Sequence, residues 1–245
     1  IQTIQSAMAG VKRIDAFLDQ PERTILRERE TSARGDVVLS HVTFGYGEKP
    51  VLNDFSMTVK QGEQVTLVGR TGAGKSTVFK LLLGLYRPEA GSVTIGGVDV
   101  ADITDAKRRT CIGCVEQHFA RVPGTVLEQI TLGDPGITEE MARNAAKLAG
   151  LDAAIRTLPD GYDTVCTDGM FSQGEWQLLS IARAAAADPV VLLLDEITAN
   201  LDAETEARVL EALRRASEGR TVLSVSHRIY ENLGGRTVEV RTQNA

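Results

Sequence analysis

The sequence predicts an α/β protein built on a mostly parallel sheet, and three observations carry that prediction. An alternating apolar run, Gln64–Val68, leads into a glycine-rich turn and then into an apolar stretch beginning at Val78. A second run, Val190–Leu194, is apolar at every position, as a strand covered on both faces must be, and it ends on Asp195 and Glu196. A third, Thr221–Ser226, reads as a further parallel strand and ends at His227.

Length and composition bound what can surround that sheet. The 245 residues suffice for a well-buried core in one or two lobes. A net charge of −6 gives no bulk attraction to nucleic acid. No apolar run approaches the roughly 20 residues that span a bilayer, and no secretory signal is visible. An odd cysteine count, 3, argues against a disulfide framework and fits a reducing compartment. Cys111 and Cys114 have C-x-x-C spacing with His118 nearby, but zinc needs a fourth ligand and none stands out. On a strand, residues three apart face opposite sides, so these cysteines read as packing.

Taken in order, the chain opens on a helical stripe, Ile1, Ile4, Met8, Val11, Ile14 and Leu18, stopped by Pro21. Such a stripe is either a face of the core or the tail of a longer helix continuing from upstream. The charged stretch from Glu22 to Asp36 reads as a linker. Val37–Phe44 and Val51–Val59 read as strands separated by a turn, and Tyr46 in that turn is either an ordinary turn aromatic or a flat surface for a purine ring.

Gly69-Arg70-Thr71-Gly72-Ala73-Gly74-Lys75-Ser76-Thr77 matches G-x-x-x-x-G-K-[ST], a P-loop, and it lies between strand and helix as a P-loop must. Its chemistry follows from the residue types. Gly69, Gly72 and Gly74 let the backbone turn successive N–H groups toward phosphate oxygens. The helix beginning near Lys75 adds its positive end. Lys75 is placed to reach the β- and γ-phosphates, and the Ser76 hydroxyl to ligate Mg²⁺.

Beyond it, Ser92–Ile95 and Cys111–Val115 read as strands, the latter ending near Gln117. A surface glutamine is the default there, and a ligand for Mg²⁺ or water is the alternative. Helices are predicted over 125–131, from Thr138 to Gly150, and over 152–158, so that residues 118–187 form an inserted helical lobe. At its far end Ser172 and Glu175 have the spacing of a capping box, with Gly174 between them. That helix start is a plain cap or an anion site. The acids ending Val190–Leu194 lie where open α/β sheets bind ligands: Asp195 can hold Mg²⁺ through water, and Glu196 can orient or deprotonate an attacking water. Asp202 sits in a loop before a charged helix from Ala203 to Ser217. His227 is placed to contact a γ-phosphate or is structural, and Arg236–Thr242 reads as an edge strand.

Together these segments resemble the nucleotide-binding domain of ABC transporters of the exporter type, over nearly the whole chain. Gly69–Thr77 is similar to Walker A, Val190–Asp195 to Walker B, and Glu196 to the catalytic glutamate. Gln117 matches the Q-loop, Tyr46 the A-loop, Asp202 the D-loop and His227 the H-loop. Phe171-Ser172-Gln173-Gly174-Glu175 resembles the signature, usually Leu-Ser-Gly-Gly-Gln. The resemblance implies a P-loop NTPase core with a mostly parallel sheet, an antiparallel β subdomain and an inserted α-helical subdomain.

It further implies residues 1–20 as the tail of a membrane-domain helix, 21–36 as linker and 37–245 as the ATPase domain. Two such domains, alike or different, close around ATP and Mg²⁺ at the cytoplasmic face of the membrane. Lys75, Gln117, Glu196 and His227 are then catalytic. Tyr46, Gly69, Thr71, Gly72, Gly74, Lys75, Ser76, Thr77, Ser172, Gly174 and Asp202 contact nucleotide. Ser76, Gln117 and Asp195 serve the metal. Two features depart from the pattern. Gln173 and Glu175 alter the signature, which in a heterodimer makes the site completed by this chain's Ser172 the weak one. The loop 164–169, where exporters meet the membrane domain, is short. An ABC ATPase acting on DNA or ribosomes would want a basic groove or a coiled-coil insertion, and a module without turnover would not need Glu196 and His227.

Overall fold

The computed structural model describes residues 34–47, 49–116, 119–195, 201–225 and 234–241. Two sheets organise them. The first holds β1 (Val37–Gly45), β2 (Pro50–Val59), β4 (Ala90–Ile95) and β5 (Val98–Asp99) in the antiparallel order β2-β1-β4-β5. The second is parallel and holds β3 (Gln64–Val68), β6 (Ile112–Val115), β7 (Val191–Leu194), β8 (Thr221–Ser224) and β9 (Arg236–Glu239) in the order β6-β7-β8-β3-β9. The predicted α/β class and the two-sheet architecture are both present, with β9 at the edge.

Local chemistry accounts for most of these elements. Gly96 and Gly97, with φ of 57° and 79°, form the two-residue turn between β4 and β5, where both positions need positive φ. In β1 the inward set is Val37 and Leu39, then Val42 and Phe44. The phase slips by one residue between them, at a bulge where His41 takes φ 50°. In β7 alternate residues serve opposite cores, as a strand covered on both faces requires. Val191 and Leu193 join the cluster beneath the antiparallel sheet, while Leu192 and Leu194 join the cluster under the helices.

Seven α-helices are described: α1 (Lys75–Leu82), α2 (Asp105–Cys111), α3 (Val126–Thr131), α4 (Glu139–Leu148), α5 (Asp152–Arg156), α6 (Gln173–Ala185) and α7 (Ala203–Ser217). α1 packs Val78, Phe79, Leu81 and Leu82 into the core shared with the antiparallel sheet. α6 is the hub of the other core, touching α3, α4, α7 and β6. Its buried Leu178, Leu179, Ile181 and Ala182 belong to one apolar cluster that runs from the small helices through to β6, β7 and α7.

One element departs from the expectation. Cys111 ends α2, and β6 starts only at Ile112, so the C-x-x-C spans a helix–strand junction and not one strand. α2 has almost no apolar stripe to reveal it. It is held instead by Arg108, whose guanidinium donates to the carbonyls of Leu83 at 2.9 Å and Ile103 at 2.8 Å. Among the described residues no helix is long and apolar enough to cross a membrane.

Candidate nucleotide site

The P-loop is shaped by close packing on one side and open space on the other. Gly69 has φ 152°, and a Cβ there would lie 2.3 Å from the carbonyl oxygen of Val240, where the chain passes beside β9. Gly74 has φ 102° and caps α1, with its missing Cβ facing Leu52 and Val51. At Gly72 nothing lies within 4 Å of the missing Cβ, so the loop is open on that side. Lys75 Nζ donates to the carbonyl oxygens of Gly69 (2.8 Å) and Arg70 (3.1 Å), which holds the ammonium across its own loop. Thr71 and Ser76 are exposed, and Thr77 is buried.

Tyr46 stands next to this loop. Its hydroxyl is 3.3 Å from Thr77 Oγ1, and its ring meets those of Phe44 and Tyr86 at centroid distances of 5.0 and 5.3 Å. Lys80 Nζ lies 5.2 Å above the ring. Half of Tyr46 is still exposed, so the residue is fixed in orientation without being covered.

Asp195 follows β7, its backbone N–H bonded to the Val115 carbonyl at 3.0 Å. β8 separates β7 from β3, so Asp195 and the P-loop share the C-terminal edge of one sheet with a strand between them. Below that edge Thr66 and Ser224 pair their buried hydroxyls at 2.7 Å, tying β3 to β8. The acids at this edge also affect Cys114. Burial first, then the charges of Glu116 and Asp195, push its thiol up to about 12. Gln117, Glu196 and His227 lie outside the described residues, as do residues 1–33, on which the predicted first helix and most of the linker fall.

A second group of predicted residues gathers at the adjoining N-termini of α6 and α7. Ser172 caps α6 in a full capping box. Its hydroxyl accepts from Glu175 N–H (3.3 Å), while Glu175 Oε2 accepts from the Ser172 N–H (2.8 Å) and hydroxyl (2.8 Å). The Glu175 carboxylate is therefore turned onto its own helix start. Asp202 caps α7, accepting from Thr205 N–H at 3.0 Å, and these bonds hold its carboxyl below the usual range. The two helix starts touch where a Cβ on Gly174 would come 2.1 Å from Thr205 Cγ2.

Some residues that shape the site were not singled out from sequence. Arg183 on α6 donates to the Gln129 carbonyl (2.6 Å) and the Ala120 carbonyl (2.8 Å), and lies 4.0 Å over the Phe119 ring. It ties the segment around Phe119 and Ala120 to α6. An arginine within the otherwise apolar Ile181-Ala182-Arg183-Ala184 was the available signal. Thr125 and Glu128 form a second complete capping box at α3, legible from their spacing.

Comparison with known proteins places the chain among relatives of one family. A family model described as "ABC transporter" matches residues 52–199. An uncharacterised ABC transporter ATP-binding protein of Bacillus subtilis, YfiC, is 41% identical over 93% of this chain and 39% of its own length. The "Mycobactin import ATP-binding/permease protein IrtA" of Mycolicibacterium smegmatis is 39% identical over 98% of this chain and 29% of its own. A bacterial Atm1-family ABC exporter solved with ATP bound superposes with a TM-score of 0.78 at 30% identity, covering 98% of this chain and 43% of that one. The chain thus spans about two fifths or less of these relatives. It belongs to the ABC transporter family.

Proposed function

We propose that this chain is the motor of an ABC exporter: two such domains close around ATP, and hydrolysis reopens them to drive a membrane domain. The observation that carries this reading is the shared sheet edge of Lys75 and Asp195 in a chain that also presents a capped Ser172 and Gly174 on a separate helix start. A domain holding both halves of a composite site can supply one half to each of two nucleotides.

Within that reading Tyr46 stacks on the base. Gly69, Thr71, Gly72, Gly74, Lys75, Ser76 and Thr77 surround the phosphates, where Lys75 exchanges its two carbonyl partners for phosphate oxygens. Mg²⁺ suits hard oxygen donors, and the exposed Ser76 hydroxyl with Asp195 at the strand end supplies that chemistry, joined by Gln117. The ion would neutralise charge on the β- and γ-phosphates. Glu196 orients the attacking water, and His227 contacts the γ-phosphate. Ser172, Gly174 and Asp202 act across the dimer. Ser172 must release Glu175 to reach a partner's phosphate, which favours a heterodimer in which the site completed by this signature is the weaker one.

Residues 1–20 are read as the end of a membrane-domain helix, 21–36 as a linker and 37–245 as the ATPase domain, held at the cytoplasmic face of the membrane. A groove of about 460 Å³ lined by Phe119, Arg121, Asp168, Gln173 and Trp176 is a suitable seat for the membrane domain. It includes part of the short loop 164–169.

Light scattering on Glu196→Gln with and without ATP tests the closure. An ATP-dependent doubling of mass means the domain pairs with itself. A persistent monomer that binds ATP points to a different partner chain or to dependence on a membrane domain. Loss of ATP binding refutes the nucleotide site as drawn.

A further inference from the structure

The segment after α1 is strapped to β1, the strand that leads into the turn holding Tyr46. Glu89 N–H donates to the Thr43 carbonyl at 2.8 Å, and the Glu89 carboxylate accepts from Gly45 N–H at 3.1 Å. At the other end Leu85 N–H bonds back to the Lys80 carbonyl at 3.0 Å. Tyr86 lies between these anchors. Its ring reaches Tyr46 at 5.3 Å with an interplanar angle of 87°, and Phe44 at 5.4 Å and 53°. Phe44 and Tyr46 meet at 5.0 Å, so the three rings form a closed trio with Lys80 Nζ over Tyr46.

The exposure of Tyr86 argues against a purely core role. A packing residue would be covered, whereas Tyr86 is 42% exposed beside a Tyr46 that is 51% exposed. The contacts are made by the ring, and they orient a neighbour that is itself open to solvent. Tyr46 alone sits in a short turn between β1 and β2, where an aromatic side chain would otherwise sample several rotamers. Fixing it before the ligand arrives lowers the ordering cost of binding.

We propose that Tyr86 is a positioning residue for the nucleobase: its ring, strapped in place by Glu89, holds the Tyr46 ring in the orientation on which the base stacks. The inference rests on reading Tyr46 as the base platform, and it adds a residue from the far side of the P-loop helix to that platform. It predicts a defect that depends on the base and not on the phosphates.

The test is calorimetric titration of the whole chain with ADP and, separately, with inorganic pyrophosphate. Tyr86→Ala is expected to weaken ADP about fivefold, the order of an aromatic pair, and to leave pyrophosphate within about twofold. Tyr86→Phe keeps the ring and is expected to bind both as the parent does. In a Tyr46→Ala background, Tyr86→Ala is expected to add nothing further. If Tyr46→Ala weakens ADP and Tyr86→Ala does not, the inference fails while the platform reading stands. If Tyr46→Ala has no effect on ADP, the platform reading fails and the inference with it. Equal weakening of ADP and pyrophosphate by Tyr86→Ala would assign Tyr86 to the loop as a whole and overturn the proposal. Should Tyr86→Ala not fold, Tyr86→Leu removes the ring while keeping bulk, and the same outcomes decide.

Discussion

Replacing Gly174 by alanine tests whether this glycine is required by its neighbour on α7. The new Cβ would sit 2.1 Å from Thr205 Cγ2, with Thr205 Cβ next at 3.5 Å. An ordinary carbon contact is about 3.5–4.0 Å, so either the two helix starts part by more than roughly 1 Å or Thr205 leaves its rotamer. Neither helix start yields easily: α6 is held by the Ser172–Glu175 box, and α7 by Asp202. Overpacking of this kind costs about 1–3 kcal/mol, against which alanine in a helix returns at most about 1 kcal/mol, and less in a first turn. Gly174→Ala is therefore expected to destabilise by about 1–2 kcal/mol. Thr205→Ser removes the offending methyl while keeping the hydroxyl, and the 3.5 Å contact that remains is ordinary. In that background Gly174→Ala is expected to be neutral or stabilising, a coupling of about 2 kcal/mol between residues in contact. Urea denaturation of the four proteins measures it. A cost that is the same in both backgrounds, or one below about 0.5 kcal/mol in the parent, would refute the steric argument.

Arg183→Ala is expected to cost about 2 kcal/mol in the same denaturation assay, because the Gln129 and Ala120 carbonyls lose a charged donor. Burial, and then the neighbouring Arg109 charge, push the Arg183 guanidinium down to about 10, and relief of that strain offsets part of the loss. Arg183→Lys should recover less than half, since an ammonium cannot reproduce the fork. Acid stability is expected to depend on Glu63. The Arg236 guanidinium holds its carboxyl below its ordinary 4.5, against the opposing effect of burial and with a smaller contribution from the Lys60 N–H. The unfolded chain then binds the proton more readily, so the contribution is complete above pH 4.5 and is lost as pH falls through the lower native value. Melting temperatures between about pH 6 and pH 3 should fall less steeply in Arg236→Gln than in the parent, and equal slopes would contradict this.

How much of the site was readable depended on the range of the interactions. The P-loop, the Ser172–Glu175 cap and the apolar strand ending at Asp195 are each written within a few consecutive residues, because turns, caps and strand periodicity are local. α2 was not readable, because its polar sequence has no stripe and its anchor, Arg108, bonds to the Leu83 carbonyl on another element. The bulge that shifts the inward phase of β1 at His41 was likewise hidden, since register belongs to the pair of strands.

By itself, then, the sequence determined the chemistry available: an ammonium and a hydroxyl at a glycine turn, an acid after a buried strand, and a hydroxyl capping a helix. Tertiary structure alone decided their company. It placed β8 between the strands of Lys75 and Asp195, set Tyr86 against Tyr46, and folded Glu175 onto Ser172. It also made Gly174 necessary through Thr205. The physical reason is that residue type fixes which bonds a side chain can make, while packing of distant segments fixes which partners are near enough to make them.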